Sequence, residues 1–181
     1  MSLFDKLFKP KPDKWQVYLN SRPIVYFGLT PKPEIKLDRN FAVCNAQHYY
    51  RQFNESMNLI ETTKKPDVFF SRYDCAATRI IGLIYMQKYA KKKNNDLEKI
   101  ATSLIENKQL FVERFIERAF DELKLKVHSL KTQKAKINNI EKFQKSFEPY
   151  FVEMSAQNKD YMYSLTDGLK HAVEMNKEWY L

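Results

Sequence analysis

Cys44 and His48 stand four residues apart in a stretch of helical pattern, so both side chains fall on one face of a helix. That spacing suits two zinc ligands, or a thiol nucleophile beside an imidazole base. Either use needs more than the pair. Further metal ligands must come from Cys75, His128 or His171 on distant segments, and a reactive thiolate needs a cleft and a third, orienting group. No Cys-x-x-Cys or His-x-x-x-His pair occurs. The residues therefore read as buried free thiols and a half-exposed histidine, with no metal and no catalytic residue assigned.

The remaining chemistry-bearing types lead to the same place. Glu113, Glu117, Asp121 and Glu122 gather acids at helical spacing, but Arg114 and Arg118 stand among them, the pattern of a solvated salt-bridge face. A di-metal carboxylate bundle needs Glu-x-x-His motifs, which are missing. Three scattered glycines, Gly28, Gly82 and Gly168, build no phosphate loop. The sequence thus assigns no cofactor and disfavours an enzyme.

Charge is the feature left over. The 181 residues carry a net charge of +9, distributed unevenly. Residues 124–145 hold seven lysines against Glu141 alone, whereas residues 146–181 hold three basic and six acidic side chains. Lys124, Lys131 and Lys142 are spaced by near-integral numbers of turns at ~3.6 residues per turn, with Lys134 and Lys145 close to the same side. A stripe of this kind suits a polyanion or an acidic partner. It contains no arginine, the best reader of base edges, so nucleic-acid binding through it would be non-specific.

The elements that must carry these residues are helices. Between Pro66 and Pro149 the chain has no proline and one glycine, Gly82, which leaves helix free to propagate. Asp38 is placed to cap a first long helix that ends near Thr62. Pro66 and Asp67 suit the first turn of a second, apolar nearly all round and hence central, where Gly82 admits a close neighbour. That helix runs towards Lys91, Lys92 and Lys93. Asn95 with Glu98 resembles a capping box for a third helix, with Leu97, Ile100, Ala101, Leu104 and Ile105 on its apolar face and a break near Asn107. A long fourth helix follows, interrupted near Lys134 and stopped by Pro149. Ser155 or Asn158 caps a last helix that reaches Trp179.

Residues 1–37 differ in composition. Leu3, Phe4, Leu7 and Phe8 form one side of a short helix, a candidate for docking on the domain or a partner. Trp15, Tyr18, Tyr26 and Phe27 follow among prolines, expected as an arm packed on the bundle and either helical or extended. No run approaches the ~20 apolar residues of a membrane span, and the N-terminus lacks the pattern of a secretory signal. A cytoplasmic location is expected, without integral membrane insertion.

Three segments carry a resemblance. They are Pro66-Asp67-Val68-Phe69-Phe70-Ser71-Arg72-Tyr73-Asp74; Leu130-Lys131-Thr132-Gln133-Lys134-Ala135-Lys136 with Asn138-Asn139-Ile140-Glu141-Lys142-Phe143; and Met154-Ser155-Ala156-Gln157-Asn158. Over roughly residues 55–165, about one domain, the chain resembles a group of uncharacterised helical proteins from Gram-positive bacteria and their phage or mobile elements. Gln133, Ala135, Asn139 and Gln144 stand here where that pattern has an acid, a glycine, an arginine and a second phenylalanine. The resemblance implies a helical fold and gives no residue a role.

The expectation is an all-α bundle of five or six helices over residues 38–181, with residues 1–37 as its arm. The function expected is a non-enzymatic protein-interaction or regulatory module, binding a protein partner or forming a homo-oligomer. The alternative is a non-specific nucleic-acid-binding protein using Lys124, Lys131, Lys134, Lys142 and Lys145.

Overall fold

The computed structural model describes the backbone of residues 14–20, 39–90 and 95–175, with most of the side chains of 46–87 and 96–175. Two units are distinguished, Met1–Lys36 and Leu37–Leu181. In the first, α1 spans Lys14–Asn20, so this part of the arm is helical. The Leu3, Phe4, Leu7 and Phe8 cluster, the Asp38 cap, Lys91–Lys93 and Trp179 lie outside the described residues.

The second unit is all-α, as expected. Its described elements are α2 (Arg39–Thr62), α3 (Pro66–Ala90), α4 (Asn95–Glu106), α5 (Lys108–Ser129), α6 (Gln133–Phe147), a 3-10 turn (Glu148–Glu153) and α7 (Ala156–Glu174). None of the described helices is long and apolar enough to cross a membrane.

Local chemistry sets the boundaries. Pro66 opens α3 and Asp67 lies in its first turn, where a carboxylate meets the positive end of the helix dipole. Only Thr63, Lys64 and Lys65 separate α2 from α3, so the two helices fold back and pack along their lengths. Arg118 of α5 donates to the Ile60 carbonyl at 2.7 Å, satisfying an acceptor that the end of α2 leaves open. Burial pushes the Arg118 pKa down, opposed by Glu61 and Glu117. Pro149 ends α6 by converting the chain to the 3-10 turn. Ser155 caps α7, its hydroxyl accepting from the Asn158 amide at 3.1 Å.

The core is built around α3. Phe69, Phe70, Tyr73, Ala76, Ala77, Ile80, Ile81, Leu83, Ile84 and Met86 are all buried, the burial expected of a helix apolar on most sides. Its first half is an aromatic assembly. Phe69 stacks on Phe115 of α5 with centroids 4.3 Å apart, and Phe70 stacks on Tyr150 of the 3-10 turn at 4.7 Å. Phe115 continues to Phe147 of α6 at 5.6 Å, and Phe147 to Phe143 at 5.0 Å. Such pairs add roughly 0.5–1.5 kcal/mol each to the area they bury. A second core joins α5, α6 and α7 through Leu123, Val127, Ile140, Leu169 and Val173.

Two expected burials are corrected. Cys75 is a free thiol but only half-buried. Ile100 is 42% exposed, because α4 turns it to the rim of a groove beside Met57 and Phe111 rather than into the core.

The second half of α3 packs against α2 where Gly82 faces Tyr49. A methyl group at residue 82 would stand 2.5 Å from Tyr49 Cε1 and 2.8 Å from Cδ1, and Arg79 covers the same ring at 4.5 Å from its centroid. Gly82→Ala is expected to destabilise the fold by about 1–3 kcal/mol, the usual cost of overpacking. Adding Tyr49→Leu should recover part of that loss. Additive losses in a denaturant double-mutant cycle would contradict the contact.

Candidate functional site

The expected lysine stripe is redistributed by a break in the helix. Leu130 adopts an extended conformation (φ −85°, ψ 140°), and Thr132 caps a new helix, its hydroxyl accepting from the Ala135 amide at 3.2 Å. The long fourth helix is therefore two, α5 and α6. Register counted from Lys124 through Lys131 to Lys142 does not cross the break, because the extended residue resets it. Lys124 stays on α5, paired with Asp121 at 3.0 Å and lying over the Phe120 ring. Lys131 sits in the turn, while Lys134, Lys142 and Lys145 sit on α6.

These four lysines are exposed, and none has an ion-pair partner among the described residues. At ~100° per residue, Lys134, Asn138, Lys142 and Lys145 fall within about 80° of one another around α6. At ~1.5 Å per residue they extend over about 16 Å. Asn138, exposed in the middle of this face, carries no charge and has no place in the lysine stripe expected from sequence.

The back of α6 explains how the face is held. Ile140 is buried in the core with α5 and α7, and Ile137 and Phe143 pack against it. Gln133 donates to the Val173 and Glu174 carbonyls, each at 3.3 Å, so the start of α6 closes the end of α7. Gln144 donates to Thr166 at 2.8 Å and to Asp167 at 3.1 Å. Glu141, the only acid in residues 124–145, is drawn to Lys170 of α7 at 3.2 Å. The acidic C-terminal stretch thus meets α6 along its flank, through one glutamate and two glutamines, and leaves the lysines outward.

Charge placement within α6 also runs against helix stability. Lys134 and Lys136 stand in the first turn, which contains no acid. A cation there opposes the positive end of the helix dipole and costs about 0.3–1 kcal/mol when exposed. An anion bound beside Lys134 would offset that penalty.

The acids of α5 are largely engaged. The Tyr161 hydroxyl donates to Glu117 at 3.2 Å, Lys64 pairs with Glu122 at 2.6 Å, and Asp121 holds Lys124. Burial pushes the Tyr161 pKa up, and the nearby charges of Glu117, Glu113 and Asp121 add to it. His48 contacts Arg51 at 3.3 Å, and His128 and His171 are exposed. The side chain of Cys44 lies outside the described residues, and no three His, Cys, Asp or Glu side chains among those described converge on a metal position. A groove of about 310 Å³ runs between α2, α4 and α5, lined by Met57, Lys99, Ile100, Ser103, Leu104 and Phe111. Its one charged side chain, Lys99, pairs with Asp96 at 3.7 Å.

A buried polar knot fixes the other end of the unit. Lys108 of α5 forms an ion pair with Glu153, whose side chain is 4% exposed. The Gln109 side chain accepts from the Ser155 amide at 2.8 Å and from Asn158 at 2.9 Å. Asn158 also donates to the Gln109 carbonyl at 3.0 Å. Tyr73 of α3 donates to the Leu104 carbonyl, and Lys108 lies 6.0 Å from its ring centroid. Tyr73, Ser155 and Asn158 of the quoted segments take part in this knot, and Phe69, Phe70 and Phe143 in the aromatic core.

Comparison with protein-family models, with curated proteins and with solved structures gave no match.

Lys108→Met is expected to destabilise the protein by about 3 kcal/mol, since it strands the Glu153 carboxylate in the interior. Lys108→Met with Glu153→Leu should recover most of this in urea melts. A double variant as unstable as the single would remove the pair from any structural role. A separate outcome concerns high pH. Burial, then Asp67, raises the Tyr150 pKa, as burial and the α5 acids raise that of Tyr161. The unfolded phenols deprotonate first, near pH ~10, so stability is full below that pH and falls as the pH rises through the folded values. Tyr150→Phe and Tyr161→Phe should each flatten this alkaline loss in melts taken between about pH 9 and 11.

Proposed function

We propose that the protein is a non-enzymatic helical interaction module working through the basic face of α6 on a partner dense in negative charge. One observation carries the reading: Lys131, Lys134, Lys142 and Lys145 are exposed and have no ion-pair partner among the described residues, while the only acid of their segment is held by Lys170. Lysines that stabilised the fold would be expected to find the acids of α5 or α7. Lys134, Lys142 and Lys145 are fixed instead on a helix whose opposite side is packed, with Lys131 in the turn before it, so the spacing of the three is set before a partner arrives. Preorganisation of this kind reduces the cost of association.

Retention on a heparin column tests the reading. Replacing Lys131, Lys134, Lys142 and Lys145 together by Gln should lower the eluting salt concentration substantially. Replacing Lys64, Lys65, Lys99 and Lys126 by Gln gives a protein of the same net charge and should change elution little. Equal shifts from the two variants would mean that net charge alone acts, and would overturn the assignment of the face.

A further inference from the structure

We infer that the basic face of α6 tracks the phosphate backbone of a nucleic-acid duplex without reading its sequence. This rests on the proposal that the face is the contact surface, and adds what it contacts. Three features separate a phosphate backbone from the other polyanions.

The first is what the face lacks. The large apolar side chains exposed among the described residues are Val17, Tyr50, Ile100, Leu110, Leu125, Val152 and Met175, and none lies on α6. Protein interfaces are built on a desolvated apolar or aromatic centre and are depleted in lysine. A surface of four lysines and an asparagine offers no such anchor, whereas phosphate contacts require only cations and hydrogen-bond donors. The absence of aromatic side chains on this face also removes the stacking platforms that hold single strands. A duplex, which presents its charge outward and its bases stacked, is the form that suits it.

The second is the placement of charge along the helix. Lys134 occupies the first turn of α6 at an intrinsic loss of stability, which a bound phosphate would reverse. The third is the state of the chain's own acids. Asp121, Glu122 and Glu141 already hold Lys124, Lys64 and Lys170, and Glu117 accepts from Tyr161. These acids are therefore not available to neutralise the face, and its lysines keep a charge that a phosphate backbone would balance. The absence of arginine from the face leaves base edges unread.

Fluorescence anisotropy on the full chain tests this with three probes: a labelled duplex of mixed sequence, the same single strand, and polyglutamate. The duplex should bind, and the logarithm of its affinity should fall with the logarithm of salt at a slope of about −3 to −4 for four phosphate contacts. From roughly 50 to 200 mM salt this is a loss of about a hundredfold. Lys134→Gln, Lys142→Gln or Lys145→Gln should each reduce the slope by about one, and scrambling the sequence should leave affinity within about twofold. Melting curves of each variant separate lost binding from lost fold.

Binding that is insensitive to salt, or unchanged in the quadruple Lys→Gln variant, would overturn the inference, as would a single strand bound more tightly than the duplex. If polyglutamate binds through these lysines and the duplex does not, the inference fails while the basic face stands. If neither probe binds, both fall.

Discussion

The stack of Phe69 on Phe115 is the contact on which the arrangement of the second unit depends. It joins the central helix α3 to α5, and through Phe147 it reaches α6, while Phe70 reaches the 3-10 turn through Tyr150. Phe69, Phe70, Phe115 and Phe147 are all essentially excluded from solvent. Truncating one such ring leaves a cavity that costs about 3–5 kcal/mol, a large share of the roughly 5–15 kcal/mol that holds a typical domain folded. Because rings from α3, α5, α6 and the 3-10 turn share one assembly, the orientation of α6 is coupled to that of α3 although α4 and α5 lie between them in the chain.

That coupling shapes the surface. α6 carries its lysines on a helix fixed by Ile140 and Phe147 behind and by Gln133, Glu141 and Gln144 along the flank facing α7. Amides and one ion pair close this flank, so few of the surrounding charges are consumed in closing it. Exposed ion pairs contribute little to stability, generally less than about 1 kcal/mol. The fold therefore neither needs the outward lysines nor neutralises them. A charged face that the fold does not use, held on a rigid support, is the physical basis of the interaction role proposed for it.

Much of the fold was legible because helix signals are local. The prolines at residues 66 and 149, the apolar run of α3 and the Ser155 cap each act within a turn or two of where they stand. Gly82 was legible for the same reason, as a missing side chain within an otherwise crowded pattern. The candidate face was half legible. Lysine enrichment in residues 124–145 is visible in composition, but the register was carried through Lys131 as though one helix continued. Thr132 held the missing signal, a hydroxyl residue three positions before the amide that it caps. Leu130, of good helix propensity, masked the extended conformation that it adopts after the last turn of α5.

Sequence by itself determined the all-α class, the central place of α3, most helix ends and the concentration of lysine before Pro149, since each follows from residue types acting on near neighbours. Only the tertiary structure decided which lysines are free. That Glu141 turns to Lys170 and that Ile100 stays at the surface depend on how helices separated by tens of residues pack. The buried pairing of Lys108 with Glu153, 45 residues apart in the chain, has the same origin. Charge content is a property of the chain, but the partners of Glu141 and Glu153 are set by distances that exist only once the two cores have brought α3, α5, α6 and α7 together.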